Sequence, residues 1–260
     1  MANPARADLE TALRARKLDR TLTTALSPER RDEAALVATD VAALDACLRG
    51  GLPRGQLSEI AGPSSSGRTT LALQVIAAST RRGEIAALVD TFDRFDVASA
   101  AAADIDLDRL LWIRGTDCRW SPPSVPDDAR RAGSGGGLDA IVNRALKALN
   151  LVLQAGGFAC VVLDLADAPP VALTRIPFTT WLRVQRIIEG SDTACLLVAP
   201  QPLARSAGGL TLLLAGRARW AGDADRNRHL AGADVTVRVV SPRRRVDGEV
   251  SVSALANDSH

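Results

Sequence analysis

The sequence predicts an α/β fold, a mostly parallel central sheet covered by helices, with antiparallel strands near the C-terminus and a helical arm at the N-terminus. Three observations carry this expectation. Apolar strand-like runs alternate with helix-patterned segments from Gln56 to Ala199, the order that builds a parallel sheet. The glycine-bearing stretch Gly62-Pro63-Ser64-Ser65-Ser66-Gly67-Arg68-Thr69-Thr70 stands between the first strand and the first helix of that series, where a phosphate-binding loop stands. After Pro200 the helical pattern ceases, and strand-like runs are separated by turn signals such as Asp247-Gly248.

Length and composition limit the rest. A chain of 260 residues with 47% hydrophobic and 24% charged residues suits one α/β domain with a terminal arm. No apolar run approaches the ~20 residues of a membrane span, and Met1 to Glu10 lack the apolar core of a signal peptide, so the expected location is cytoplasmic, with no membrane partner. Cys47, Cys118, Cys160 and Cys195 are too scattered for a disulfide framework or a zinc site. With 32 basic and 30 acidic residues the chain has no global field for nucleic acid, so DNA affinity must come from local patches. Aromatics at 3% with no Tyr leave few platforms for stacked bases.

Residues 1–33 are expected to form an amphipathic helical arm, and 34–260 the core domain. Within the arm Leu9 and Leu13, then Leu18, Leu22 and Leu26, recur at four-residue spacing, and Ser27-Pro28 closes the pattern. Such an arm either packs on its own domain or docks on a neighbouring subunit, which would make the chain an oligomer. In the core, Gln56 to Ile60 reads as the strand entering the glycine loop, and Thr69 to Thr80 as the helix leaving it. Strands follow at Ile85 to Asp90, Leu110 to Arg114, Phe158 to Leu165 and Ala194 to Ala199. Helices are expected at Val97 to Ala103, Leu138 to Gln154 and Phe178 to Glu189. Residues 115–137, rich in Pro, Ser, Asp, Arg and Gly, read as a flexible loop holding Trp120. The last strands are expected at Leu210 to Leu214, Asp234 to Val240 and Glu249 to Ala254.

The loop pattern has a physical basis. Its two glycines let backbone N–H groups curl around phosphate oxygens, and the hydroxyl after the basic residue ligates Mg²⁺. Here Gly62, Ser64, Ser65, Ser66, Gly67, Thr69 and Thr70 match, but Arg68 stands where lysine is usual. Arginine is a wide planar fork in a place that suits a compact charge on a thin stem. Asp164 ends an apolar strand about a hundred residues on, the position of a second Mg²⁺ carboxylate.

Thr39-Asp40-Val41-Ala42-Ala43-Leu44-Asp45, Gly50-Gly51-Leu52-Pro53-Arg54-Gly55, Glu59-Ile60 and Gly62 to Leu71 together resemble the RecA recombinases, and Leu73 to Ala78 continue the likeness. The order of Asp90, the strand ending at Asp164, and Gln201 extends it to about Val252. The resemblance implies a RecA-like core, ATP with Mg²⁺ as cofactors held by Gly62 to Thr70 with Thr69 and Asp164, and Gln201 as the group sensing the γ-phosphate.

Departures from the family pattern are as informative as matches. Phe92 stands where the family's water-polarising glutamate is expected, and phenylalanine can neither accept a proton nor orient water. Asp93 could replace it only if the loop is rebuilt, since neighbouring side chains in extended backbone point to opposite sides. The segments after Asp164 and Gln201 are shorter than the family's DNA-binding loops. These losses make the chain similar to the ImuA mutagenesis accessory proteins. That resemblance implies a role in translesion synthesis under the SOS response, through contacts with an ImuB-type protein, an error-prone polymerase complex and RecA, with weak or absent ATPase activity. A DNA-dependent ATPase using Arg68 and Asp93, or a regulator of RecA filaments, are the alternatives. For DNA contact the candidates are Arg243, Arg244 and Arg245 near a hairpin tip, with Arg217 and Arg219, and Arg226 and Arg228 nearby.

Overall fold

The structure is a computed structural model that describes residues 36–115, 127–204, 208–222, 228–240 and 248–255; within these, nothing is said of the side chains of 127–136, 230, 254 and 255. The chain separates into two compact units, Met1–Asp32 and Glu33–His260, and all described residues belong to the second.

The second unit is built on an eight-stranded sheet. A short antiparallel pair, β1 (Leu36–Val37) and β2 (Leu52–Pro53), brackets α1 (Ala42–Leu48) at the entry to the domain. The sheet itself comprises β3 (Leu57–Ala61), β4 (Ala86–Asp90), β5 (Leu110–Arg114), β6 (Cys160–Asp164), β7 (Ala194–Ala199), β8 (Thr211–Ala221), β9 (His229–Val240) and β10 (Gly248–Leu255). Its order is β10-β9-β8-β3-β7-β6-β4-β5, parallel from β5 to β8 and antiparallel from β8 to β10. The fold is therefore the α/β arrangement read from the sequence, with antiparallel strands last.

Helices cover both faces because the parallel strands are apolar on both sides. α2 (Arg68–Arg81) and α3 (Val97–Ala102) join α1 in burying Leu44, Val75, Ile76 and Ala100 against Ile60, Leu88, Val162 and Leu196. On the other face α4 (Asp127–Ala155), α5 (Pro170–Thr174) and α6 (Phe178–Ile188) bury Leu149, Leu173, Trp181 and Val184 against Val89, Leu163 and Leu197. Odd and even strand residues thus feed two separate cores, as a pleated strand requires.

Strand and helix positions in the parallel half agree with the sequence within a residue or two at most ends. Three differences have physical causes. α4 begins at Asp127, inside the stretch expected to be loop, and only 116–126 of that stretch lie outside the described residues. Its Gly133 to Gly137 run, poor in helix propensity, hid the helix from a composition-based reading. α5, begun by Pro170 at its first position, was not expected at all, although proline there is pre-set for helix. β8 and β9 are far longer than the apolar runs that announced them, because half of β8 is exposed rather than core.

Candidate functional site

All the groups singled out in the parallel half meet at the carboxyl ends of the strands. β3 runs into the glycine loop and α2 leaves it, so the loop lies at a helix N-terminus. Asp90 and Asp164 are register partners at the ends of β4 and β6, while Gln201 follows β7 and is exposed. β7 lies between the loop strand and the Asp164 strand. This edge is where open α/β sheets bind ligands.

The loop keeps the shape of a phosphate cradle. Ser65 and Gly67 have positive φ, 61° and 88°, and Gly67 caps α2. Gly62 N–H donates to the Ala199 carbonyl and Ser66 N–H to Pro63, each at 3.3 Å, which fixes both sides of the turn. Pro63, Ser64, Ser65, Thr69 and Thr70 are exposed, and Ser66 is buried with its hydroxyl unpartnered. β8 crosses beside this loop: a Cβ at Gly216 would stand 2.6 Å from the Ser65 carbonyl oxygen, so that close approach needs glycine.

Arg68 does not point out to meet a ligand. It is 6% exposed, and its guanidinium donates to the Gly62 carbonyl at 2.5 Å and the Ala166 carbonyl at 3.2 Å. The fork thus ties the glycine loop to the turn after β6. Two divergent donors let arginine span both carbonyls, which the single head of lysine does not do in the same way. Ala166 is held from its other side too, its N–H donating to Asp164 at 2.8 Å.

Asp164 is a carboxylate whose ionisation is opposed. Burial pushes its pKa up to about 6, aided by the charges of Asp90 and Asp167, against the Ala166 hydrogen bond and Arg68. Its carboxylate is of the hard oxygen type that ligates Mg²⁺.

The region beside β4 is differently built. Asp90 is 2% exposed and accepts from the N–H groups of Arg94 at 2.8 Å and Phe95 at 2.9 Å, and from the Trp112 indole at 3.2 Å. It is the clasp of the 91–95 turn. Phe92 packs against the core under α4 and α6. Asp93 stands at φ 55°, and its carboxylate is held by two guanidinium nitrogens of Arg114 at 2.8 and 2.7 Å. That hydrogen-bonded guanidinium lowers the Asp93 pKa below the usual carboxylate range. Arg114 in turn lies 4.6 Å over the Trp112 ring. A carboxylate held in such a bidentate pair is a poor proton acceptor.

Sequence reading took Glu59 only as part of the family likeness and gave it no role. It is 1% exposed and accepts from Leu203 N–H at 2.8 Å, Ala204 N–H at 3.0 Å and the Thr211 hydroxyl at 2.7 Å. It therefore pins the segment after Gln201 to the strand that enters the glycine loop. A glutamate inside an otherwise apolar buried strand was the available signal, since such a group must find partners. The pair Thr39 and Asp45 is similar: Asp45 accepts from the Thr39 N–H and hydroxyl at 2.9 and 2.8 Å, which shapes the entry to α1.

The DNA-contact candidates are only partly visible. Arg243, Arg244, Arg245 and Arg226 lie outside the described residues, as do the arm at 1–33 and Trp120. Arg217 is exposed on β8, Arg219 pairs with Asp234 at 3.5 Å, and Arg228 lies 5.4 Å over Trp220. Cys160 and Cys195 are buried in β6 and β7, and burial pushes the Cys160 thiol up to about 12, which makes both inert core residues.

Strand order, glycine loop and the carboxylates beyond it define a RecA-like α/β core. The model of the RecA N-terminal domain matches residues 10–119. The chain is 49% identical over 164 residues to the RecA protein of Chlorobaculum tepidum, covering 63% of this chain and 44% of that one. It is 32% identical over 163 residues to RecA of Chlorobium chlorochromatii, covering 62% and 43%, and 40% identical over 116 residues to RecA of Rubrobacter xylanophilus, covering 44% and 33%. The chain thus spans less than half the length of these relatives. Together the matches support the RecA-like superfamily. Among the described residues no helix is long and apolar enough to cross a membrane.

Proposed function

We propose that this chain is a RecA-like accessory protein of DNA-damage-induced mutagenesis, acting through protein contacts rather than ATP turnover. Its partners in this reading are an ImuB-type protein with an error-prone polymerase, and RecA. The observation that carries the reading is the closed 91–95 turn. Phe92 is given to the core and Asp93 to Arg114, so no carboxylate is free there to position a water. Arg68 adds to this, since its charge is already engaged by two backbone carbonyls. The likeness to RecA is compatible with contacts to RecA or DNA and with oligomerisation. Tagged chain purified from cells after DNA damage tests the reading: it should bring down an error-prone polymerase. Equal recovery of RecA alone, or of neither, contradicts it.

A second reading, a DNA-dependent ATPase, draws on Asp164. A carboxylate kept where burial opposes its charge is a costly residue for a purely structural turn. In that reading Mg²⁺ with a triphosphate would supply the electrophile, held by the backbone N–H groups of Gly62 to Thr70, the Thr69 hydroxyl and Asp164. Calorimetry with Mg·ATP separates the two, because the second requires a nucleotide-binding heat at millimolar ligand and the first does not.

A further inference from the structure

We propose that the glycine loop takes a nucleoside diphosphate in preference to a triphosphate, and that Arg68 sets this preference. The inference rests on the reading of the loop as a nucleotide site and names which nucleotide that site holds. The loop's own donors suit a phosphate group. At the N-terminus of α2 the N–H groups of Gly67, Arg68, Thr69 and Thr70 make no hydrogen bond among the described residues, because the helical ladder starts with Leu71 N–H donating to the Gly67 carbonyl at 2.9 Å. Inside the turn the Ser66 hydroxyl, on a residue 1% exposed, is also without a partner. A Cβ at Gly62 would strike that hydroxyl and the Leu214 carbonyl, so the turn keeps its shape only with glycine there.

The phosphoryl group beyond the cradle needs a mobile cation, the part played in such loops by a lysine reaching the terminal phosphates. Here the side chain at that position is turned inward. Arg68 is 6% exposed, and its donors go to the Gly62 and Ala166 carbonyls. Arg94 and Arg114, which stand by the neighbouring turns, are held by Asp167 at 3.0 Å and Asp93 at 2.7 Å. Acids gather at the same edge: Asp164 lies close enough to Asp90 and Asp167 for their charges to oppose its own. A triphosphate brings one more anionic group to this edge, with none of these three guanidiniums free to meet it, whereas a diphosphate asks less of them. A loop that holds the hydrolysed form also requires no water-activating base, in keeping with Phe92 packed against the core.

Calorimetry on the full chain tests this with Mg·ADP, Mg·AMP and the magnesium complex of a non-hydrolysable β,γ-imido triphosphate. ADP should bind with Kd below roughly 1 mM, about tenfold more tightly than the imido triphosphate, and AMP should give no heat. In Arg68→Lys the triphosphate should gain about tenfold or more while ADP changes less than about threefold, so that the preference closes or reverses. The ratio in the unaltered chain decides the matter even where the variant folds poorly. The proposal is overturned if the triphosphate or AMP binds as tightly as ADP, if ADP gives no heat at about 5 mM, or if folded Arg68→Lys keeps the parent's ratio. Equal binding of ADP and triphosphate removes the preference and leaves the nucleotide site; binding of neither removes both.

Discussion

The two halves of the sheet's carboxyl edge are built in opposite ways. Around β3 and α2 the glycine loop has its positive-φ turn and its backbone anchors, with Thr69 exposed. Around β4 and β5 the equivalent edge has become a closed clasp, in which Asp90, Asp93, Arg114 and Trp112 are spent on one another. Binding a phosphate and activating a water need different groups. The first side has the backbone shape of a phosphate loop, and the acids of the second are engaged by neighbouring groups.

The largest expected effect strikes the loop side. Glu59→Ala would leave the Leu203 and Ala204 N–H groups and the Thr211 hydroxyl without their acceptor, and should cost about 3 kcal/mol or more, seen as a Tm lower by roughly 6 to 12 °C. A loss under about 1 kcal/mol would show that the segment after Gln201 is not anchored there. Next comes Arg68→Lys, which cannot span both carbonyls. It should lose about 1–2 kcal/mol of stability and, by freeing a compact charge, bind Mg·ATP at least about tenfold more tightly in calorimetry. Unchanged affinity would mean that Arg68 is not what limits the loop.

Asp164→Asn sharpens the contrast through pH. The folded state holds the Asp164 proton more tightly than the unfolded chain, so its contribution to stability falls as pH rises from about 4 through about 6. Above that window the ionised carboxylate is a burden. The asparagine variant should therefore be about 1–2 kcal/mol more stable than the parent at pH 7.5 and equal to it at pH 3.5, by thermal melts at the two values. A loss at pH 7.5 would show that the charge is needed by the fold. The smallest effect belongs to the clasp's surface pair: Asp93→Asn should leave the melting temperature close to the parent's, because both side chains are solvent-accessible. A clearly lowered melting temperature would mean that the 91–95 turn depends on Arg114 rather than on Asp90.

The same division explains what was legible in the sequence. β3 to β7 and the helices between them were readable because buried parallel strands are continuous apolar runs, and the glycine loop is a local backbone requirement. The roles of Glu59 and Asp90 were not, since each satisfies N–H groups far along the chain or around a turn that no periodicity reports. Phe92 was recognisable as the wrong residue for water activation, but the engagement of Asp93 by Arg114 joins two separate strand ends. The exposed half of β8 was hidden because it pairs with β9 without a core beneath it, so its alanines and arginines carry no apolar alternation.

The central claim is that this edge no longer activates water. Steady-state ATP hydrolysis by the full chain, with Mg²⁺ and single-stranded DNA, tests it most directly. The account predicts no turnover above the protein-free control. DNA-stimulated hydrolysis on the order of 1 s⁻¹ or faster would contradict it, and would return Asp93 or another group to the role of base.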